Sequence, residues 1–150
     1  MKVDITVRPA SPGDLPAILA LDHLARQPES GRREFIHRVV TQNTCWVAAL
    51  NETVAGYGVL DYTFYECGFI TMLYVHQDYR RRGVGQALLE HFERMCQTPQ
   101  LFTSTNLSNL PMQALLAKRE YTLSGVIHNL DEGDPELVYF KRVHGGGALA

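Results

Sequence analysis

The sequence predicts an α/β protein of about seven strands and about four helices, and three observations support that class. Apolar and polar residues alternate over positions 3–7, which is the period of a half-buried strand. Positions 69–75 form a bulky apolar run of strand length that is rich in residues favouring strands. A helix is predicted to follow, because four apolar residues recur at the spacing of one helix face: Val84, Leu88, Phe92 and Met95.

Two helices are predicted after the first strand. Positions 11–14 supply an N-cap hydroxyl, a proline and an acid, which together are typical of a helix start. The first helix carries apolar residues over positions 15–24, and Pro28 ends it. The second helix is predicted over positions 30–42. Its outward face is basic and is interpreted as solvent-exposed: Arg32, Arg33, His37 and Arg38.

The rest of the chain alternates between strands and helices. Strands at 44–50 and 54–62 are predicted to form a hairpin, with Asn51 and Glu52 in the turn. Further elements are predicted after the central helix: a strand at 101–105, a helix from about Pro111 to about Arg119, and strands at 121–127 and 136–142.

The bulk composition indicates a soluble globular protein. With 150 residues, of which 45% are hydrophobic and 20% charged, the chain is long enough to bury a substantial core. We predict one domain over positions 1–143 and a flexible tail over 144–150. Apolar runs fall short of the about 20 residues that cross a bilayer, and the net charge of −2 argues against binding to nucleic acids or membranes.

The three cysteines predict neither a disulfide framework nor a metal site. Cys45, Cys67 and Cys96 are odd in number and lack the C-x-x-C spacing. The N-terminal residues also lack an apolar signal core. We therefore expect reduced, mostly buried thiols, no metal and a cytoplasmic location. Cys96 is interpreted as a core residue rather than an acyl-carrying nucleophile, because no base is predicted beside it.

The loop between the central strand and its helix predicts an anion site. Positions 80–85 read Arg-Arg-Arg-Gly-Val-Gly. Glycines let backbone amides approach an anion closely, and the N–H groups of a helix's first turn carry about half a positive charge. The longer dinucleotide fingerprint is incomplete, because Leu88 occupies its third glycine position. We predict a phosphate or pyrophosphate site; a solvated basic turn and a site for an unrelated nucleotide stay open.

The same loop resembles the motif of a known family. Arg80, Gly83 and Gly85, directly after Leu73-Tyr74-Val75, match [QR]-x-x-G-x-[GA], the motif of the GNAT superfamily of N-acetyltransferases, whose ligand is acetyl-coenzyme A (acetyl-CoA). A second family stretch is matched by Asn109, Met112, Leu115 and Tyr121. The resemblance covers nearly the whole chain. It implies the GNAT fold, a mixed central sheet with a splayed central strand pair.

The resemblance also implies how the coenzyme would be held. Four backbone amides would bind its diphosphate: those of Arg82, Gly83, Gly85 and Gln86. The main chain of Leu73 and Val75 would pair with the pantetheine arm, and the Val75 N–H would polarise the thioester carbonyl. The remaining implied coenzyme-binding positions are Tyr74, Arg80, Arg81, Val84, Asn106, Asn109 and Met112.

The chemistry that the resemblance implies is direct attack of a primary amine on the thioester in a ternary complex. An amine that is protonated at neutral pH needs a general base. Glu66, at the entrance to the central strand, is the first candidate, with His128 and the acids of positions 131–134 in reserve. A solvated turn glutamate is the alternative interpretation of Glu66.

Two departures from the family pattern bear on activity. Leu116 stands where many members have tyrosine, and Glu120 where most have glycine. Without the tyrosine, Ser108, Tyr74 or solvent would protonate the leaving thiolate. The alternative to an enzyme is a GNAT-fold module that binds coenzyme A for regulation without turnover.

The acceptor is indicated only by an acidic turn between the last two strands: Asp131, Glu132, Asp134 and Glu136. Carboxylates there would concentrate a cation, so we expect a small-molecule or peptide amine, with a cationic amine preferred over a neutral amino acid. An ordinary soluble hairpin turn is the alternative. Whether the chain forms a homodimer is left open.

Overall fold

The computed structural model describes residues 4–144 and confirms the predicted class. Its strands are β1 (Ile5–Pro9), β2 (Cys45–Leu50), β3 (Thr53–Phe64), β4 (Cys67–Val75), β5 (Gln100–Asn106), β6 (Thr122–Ile127) and β7 (Glu136–Arg142). Its helices are α1 (Leu15–Leu21), α2 (Arg32–Thr41), α3 (Val84–Met95) and α4 (Leu110–Lys118). Most bounds agree with the predicted elements to within two residues.

The seven strands belong to one sheet in the order β1-β2-β3-β4-β5-β7-β6. β4 runs parallel to β5, and the register places Gly68, Phe69 and Ile70 opposite Leu101, Phe102 and Thr103. The pairs β1–β2, β2–β3, β5–β7 and β6–β7 are antiparallel. The sheet is therefore mixed, as expected, while the splay of β4 from β5 stays a prediction.

The chain groups into two compact units. Of the described residues, the first unit contains positions 4–60 together with Met72–His91. The second contains Asp61–Thr71 and positions 92–144. The single domain over positions 1–143 stays a prediction, and positions 145–150 of the predicted tail lie outside the described residues.

The core of the first unit lies between its two helices and strands β2 and β3. Ile18 of α1 and Ile36 of α2 are fully buried, as are Val47 of β2 and Val59 of β3. Full burial of one such side chain contributes about 1.5–3 kcal/mol. This apolar cluster is therefore the main stabilisation of α1 and α2, which are short for isolated helices.

α1 ends at Leu21, directly before Asp22, so the prediction of one helix that carries apolar residues over positions 15–24 and is ended by Pro28 is wrong. The Asp22 backbone is extended, and its carboxylate accepts a hydrogen bond from the Leu24 N–H at 3.0 Å. This bond starts a separate 3₁₀ turn, His23–Arg26. A side chain that bonds to the backbone two residues ahead favours a turn over a continuing helix.

Arg32 also departs from the prediction, because its guanidinium binds a buried carboxylate instead of facing solvent. Its Nη1 lies 2.6 Å from Oδ2 of Asp22, whose side chain is fully buried. The Tyr57 hydroxyl donates to the same oxygen at 2.6 Å. Burial and the Asp22 charge raise the pKa of Tyr57, so this hydroxyl stays a donor. The other three residues of the basic face are exposed, as predicted: Arg33, His37 and Arg38.

In the second unit, Glu93 connects α3 with the end of α4 and with β7. Its carboxylate accepts hydrogen bonds from Arg119 at 2.6 Å and from the Tyr121 hydroxyl at 3.0 Å, and lies 3.2 Å from Nζ of Lys141. Burial and the Glu93 charge raise the pKa of Tyr121. The two helices that this carboxylate connects each contribute a fully buried apolar residue, Phe92 of α3 and Leu116 of α4.

The three cysteines are free thiols, and their burial differs. Cys45 and Cys96 are buried and Cys67 is half-buried, which confirms the interpretation of Cys96 as a core residue. Burial raises the pKa of Cys45 to about 12. Among residues 4–144, no helix is both long enough and apolar enough to cross a membrane.

Candidate functional site

The anion site predicted from the glycine loop has the expected backbone geometry. Gly83 has φ of +87°, a left-handed conformation that favours glycine. The Ala87 N–H donates to the Gly83 carbonyl at 2.9 Å, so α3 starts directly after this glycine. The first-turn N–H groups of an α-helix have no partner within the helix, and here they belong to Val84, Gly85 and Gln86. The exposed loop at positions 81–83 leads into this turn.

Arg80, the first residue of the motif, folds back onto the end of β4. Its Nε donates to the Val75 carbonyl at 3.1 Å. The next residue, Arg81, is exposed and has φ of +65°, although it carries a side chain. The chain thus turns sharply between β4 and α3, and the Arg80 side chain ties that turn to the strand. Coenzyme binding by Arg80 and Arg81 stays a prediction.

The orientation of the Val75 peptide follows from its neighbour. The His76 N–H donates to the Ala55 carbonyl of β3 at 3.0 Å. Successive residues of a strand direct their N–H groups to opposite edges, so the Val75 N–H points away from β3. Leu73, two residues earlier, presents its main chain to the same edge. This is the main chain that the sequence predicted to face the coenzyme.

Gly56 is a residue of this region that the sequence analysis did not assign. A Cβ at Gly56 would lie 2.6 Å from the Tyr74 carbonyl oxygen and 3.3 Å from Cγ1 of Val84. The glycine therefore lets β3 approach both the end of β4 and the first residue of α3. A glycine inside a predicted strand was the available signal, because it often marks a close backbone approach.

His23 is a second residue that sequence reasoning missed. Its Nδ1 lies 2.9 Å from the Tyr74 hydroxyl, and the two rings are tilted by 43° at a centroid distance of 6.1 Å. Tyr74 also packs against Tyr57, at a centroid distance of 6.0 Å. His23 and Tyr74 are 51 positions apart in the chain, so no local pattern could have paired them.

The predicted residues of the β5–α4 loop lie in the second unit, where they bind the acidic turn. Ser108 donates to Asp134 twice, from its N–H at 3.0 Å and from its hydroxyl at 2.6 Å. The Asn106 amide donates to Asp131 at 2.9 Å. A serine hydroxyl has one hydrogen, and here it is directed at a carboxylate. The role of Ser108 as proton donor to a thiolate stays a prediction, and this bond competes with it.

Asn109 and Met112 have a structural arrangement of their own. The Asn109 side chain accepts the Met112 N–H at 3.2 Å and so caps α4. Met112 is half-buried on the first turn of that helix. Their assignment to the coenzyme stays a prediction.

Glu66 lies in the turn of the β3–β4 hairpin. Tyr65 and Glu66 both have positive φ, of 51° and 62°, and both are exposed. Glu66 precedes the first residue of β4, whereas Val75 is the last, so the whole of that strand separates them along the chain. The assignment of Glu66 as general base stays a prediction.

Leu116, which replaces the family's tyrosine, is fully buried. The position has no exposed surface in this chain, so a larger side chain there would need the neighbours to move.

The acidic turn lines a concavity of ≈ 350 Å³ with residues His128, Asn129, Asp131, Glu132, Gly133, Asp134 and Pro135. Within residues 4–144 no group of three or more potential metal ligands is found, and the expectation of no metal stays a prediction.

Comparison with known proteins identifies the family. The model of the acetyltransferase (GNAT) family matches residues 14–121, which include β4, the glycine loop and α3. This chain belongs to the GNAT family. A search of curated protein sequences finds no match.

Solved structures of similar proteins share the whole fold of this GNAT chain. A GNAT-family acetyltransferase from Bacillus cereus is 29% identical, covers 93% of this chain and 97% of its own, and has a TM-score of 0.85. The ribosomal-protein-S18-alanine N-acetyltransferase of Escherichia coli is 18% identical, with 98% and 99% covered and a TM-score of 0.79. YncA, a putative acetyltransferase from Salmonella typhimurium solved with its cofactor acetyl-CoA, is 17% identical, with 96% of both chains covered and a TM-score of 0.74. These likenesses confirm the GNAT fold that the sequence motif implied.

Proposed function

We propose that this GNAT chain is an N-acetyltransferase that moves the acetyl group of acetyl-CoA to a primary amine by direct attack in a ternary complex. The observation that carries the proposal is the path of the chain from β4 to α3. The main chain of Leu73 and Val75 faces one edge, and an exposed loop with a left-handed glycine, Gly83, leads into the first turn of a 12-residue helix.

The residues of this path fit the coenzyme. A left-handed glycine next to the first turn of a helix brings main-chain N–H groups and the positive end of the helix dipole to one exposed place, which suits a diphosphate. The amides of Arg82, Gly83, Gly85 and Gln86 would hold it. When bound, acetyl-CoA supplies an acetyl thioester for transfer. Arg80 donates a hydrogen bond to the Val75 carbonyl, and this bond ties the loop to the end of β4.

The chain's own groups would then act on the acyl carbonyl. The Val75 N–H points away from β3 and would donate to the carbonyl oxygen, where negative charge develops during attack. A preorganised donor of this kind is typically worth about 2.7–4 kcal/mol of barrier. The amine must also lose a proton, and the thiolate must gain one or leave as the anion.

The acceptor class rests on the chemistry of structural neighbours. One acts on the alanine of a ribosomal protein, and another is described as a putative phosphinothricin N-acetyltransferase. Their identities to this chain are 18% and 19%, so they support an amine acceptor and do not select between a peptide and a small molecule. We propose a primary amine of either kind.

A second candidate function is binding of coenzyme A without turnover. The buried Leu116 favours it, because the position where many members have a tyrosine offers no hydroxyl here. This candidate keeps the same coenzyme site and removes the reaction.

The experiment combines binding with turnover. Titration calorimetry with acetyl-CoA tests the coenzyme site, and release of free thiol with a panel of polyamines, aminoglycoside-like sugars, basic peptide termini and neutral amino acids tests transfer. Gly83→Val is the matched control that is expected to lose both signals. Binding with thiol release on at least one amine supports the enzyme, and binding without release across the panel supports the second candidate. Failure of the wild type to bind acetyl-CoA would overturn both.

A further inference from the structure

A hydrogen-bonded pair in the first unit has the chemistry that acyl transfer requires. Nδ1 of His23 lies 2.9 Å from the hydroxyl oxygen of Tyr74. His23 is exposed and Tyr74 is half-buried, so the imidazole can be reached from solvent while its partner is held by packing. Imidazole is the commonest general base in enzymes, and a phenol is among the groups that act as general acid.

We infer that His23 and Tyr74 form a proton relay for the transfer reaction, in which His23 accepts the proton of the attacking amine and Tyr74 protonates the leaving thiolate. The inference rests on the proposed function. It adds His23 as the base and selects Tyr74 from the three thiolate donors that the sequence left open, which were Ser108, Tyr74 and solvent. It also gives an alternative to Glu66 and Ser108, whose positions were described above.

The turn that carries His23 is fixed by a buried carboxylate. Asp22, directly before His23, is fully buried and accepts hydrogen bonds from Arg32, Tyr57 and the Leu24 N–H. The Leu24 bond fixes the turn that carries His23. Hydrogen bonds to a charged group are roughly twice as strong as neutral ones, so the three bonds to Asp22 hold this turn firmly in place.

The same carboxylate fixes the other partner. The Tyr57 hydroxyl donates to Asp22 at 2.6 Å, and the Tyr57 ring packs against the Tyr74 ring. Asp22 thereby positions His23 through the chain and Tyr74 through Tyr57. Catalytic groups need this kind of support, since small errors in position reduce their effect strongly.

The location of Tyr74 connects the pair to the reacting carbonyl. Tyr74 lies between Leu73 and Val75, whose main chain is proposed to face the coenzyme. Side chains of a strand stand out of the sheet plane, whereas N–H groups lie in it. In the proposed complex the Val75 N–H would donate to the carbonyl oxygen in the plane of the sheet, and the Tyr74 hydroxyl would approach the thioester from the sheet face.

The proton transfers balance when His23 starts as the Nδ1–H tautomer. The amine enters the step in its neutral form, after its ammonium proton has gone to water. His23 donates Nδ1–H to the Tyr74 oxygen, which leaves the Nε2 lone pair free to take a proton from the attacking amine. The nitrogen forms a bond to the carbonyl carbon, and the carbon–sulfur bond breaks with its electron pair going to sulfur. Tyr74 gives its hydroxyl proton to that sulfur and receives the Nδ1 proton of His23. The products are an amide and a free thiol, with both side chains neutral again.

The kinetic test uses substitutions that keep the shape of the pair. His23→Asn retains a donor near the position of Nδ1 and removes the base, and Tyr74→Phe retains the ring that packs on Tyr57. Each is expected to lower kcat about 100-fold to 1000-fold. The Kd of acetyl-CoA from calorimetry should change less than about threefold, because both substitutions keep the main chain of β4, through which this strand is proposed to bind the coenzyme. The double variant should be no slower than either single one, because the two groups act as a unit. The control is His37→Asn, an exposed histidine of α2, which should leave kcat unchanged.

The inference would be overturned if both single variants keep kcat within about threefold of the wild type. It would also be overturned if the fold reduction in kcat of the double variant equals the product of the two single reductions. A wild type that binds acetyl-CoA but acetylates no amine would instead overturn the proposed function. Nitrogen-detected NMR of the imidazole tests the pair independently of turnover. The His23 signal, assigned by its absence in His23→Asn, should show the Nδ1–H tautomer and lose it in Tyr74→Phe, whereas an Nε2–H tautomer in the wild type would rule the relay out.

Discussion

The glycine loop at positions 80–86 and the acidic turn at positions 131–136 were both predicted as ligand sites, and they differ in which atoms are available. In the glycine loop the ligand would meet main-chain N–H groups, which α3 leaves without partners in its own first turn. In the acidic turn the ligand would meet side chains, and Asp131 and Asp134 already accept hydrogen bonds from Asn106 and Ser108.

This difference shows which kind of site a sequence can predict. Glycine permits the left-handed backbone that this turn needs, so a motif of six residues was enough to place a helix start and a left-handed turn. The partners of Asp131 and Asp134 come from 25 and 26 positions away, and they convert free charges into hydrogen-bonded ones. A run of acids therefore predicts less about the arrangement of its side chains than a pair of glycines predicts about the main chain.

The largest expected effect is at the glycine loop. Gly83→Val or Gly85→Val should weaken acetyl-CoA binding by about 2 kcal/mol or more, roughly 30-fold, because a branched side chain obstructs the approach of the diphosphate and at Gly83 also opposes φ of +87°. Arg81→Ala, in the same exposed loop, should bind within about twofold of the wild type. Titration calorimetry measures all three, and equal affinities would remove the diphosphate assignment.

The next effect concerns the support of that loop. Gly56→Ala should destabilise the protein by about 1–3 kcal/mol, because the new Cβ would meet the Tyr74 carbonyl oxygen at 2.6 Å and the backbone would have to shift. Acetyl-CoA binding should weaken as well. Gly125→Ala is the matched control in β6: apart from chain neighbours, no atom of the described residues lies within 4 Å of its Cβ. Urea unfolding compares the two, and similar midpoints would show that the close approach has no energetic consequence.

Ser108→Ala tests the acidic turn from its donor side. We expect kcat to stay within about twofold of the wild type, since the serine hydrogen is directed at Asp134, and stability to fall by about 1 kcal/mol through the lost hydrogen bond. A large fall in kcat with unchanged stability would instead support Ser108 as the proton donor. Thiol-release kinetics and urea unfolding on the same preparation distinguish these results.

The smallest effect is expected for the charges of the turn. The triple variant Asp131→Asn/Glu132→Gln/Asp134→Asn should raise KM for a polyamine about threefold at low salt and leave kcat unchanged, because the carboxylates attract a cation over a distance. At high salt the difference should disappear through screening. Equal KM values at low salt would mean that the turn takes no part in acceptor binding.

Most of the fold could be predicted from the sequence because its elements have strong local signals. β7 was predicted at its observed bounds, and α3 was predicted from four apolar residues on one face. The end of α1 could not be predicted, because it depends on the side chain of Asp22. That carboxylate is stabilised by Arg32 and Tyr57, which lie 10 and 35 positions away.

In the candidate site, main-chain positions could likewise be predicted from the sequence, whereas contacts between distant side chains could not. The coenzyme roles of Leu73, Val75 and Gly83 depend on the main chain, so the resemblance could imply them, and they stay predictions. The pairing of His23 with Tyr74 could not be predicted, because it requires the packing of the first unit to bring two distant elements together. Sequence reasoning thus proposed Glu66 and Ser108 from their places near predicted turns, where their side-chain partners could not be known.

The unequal burial of the three cysteines provides a natural labelling handle. Thiolates are the reactive form of cysteine, and the pKa of about 12 keeps the buried Cys45 protonated at neutral pH. Cys96 is buried as well, whereas Cys67 at the start of β4 is half-buried. A maleimide dye should therefore attach first at Cys67 without any substitution, and place a fluorophore at the end of the β3–β4 hairpin.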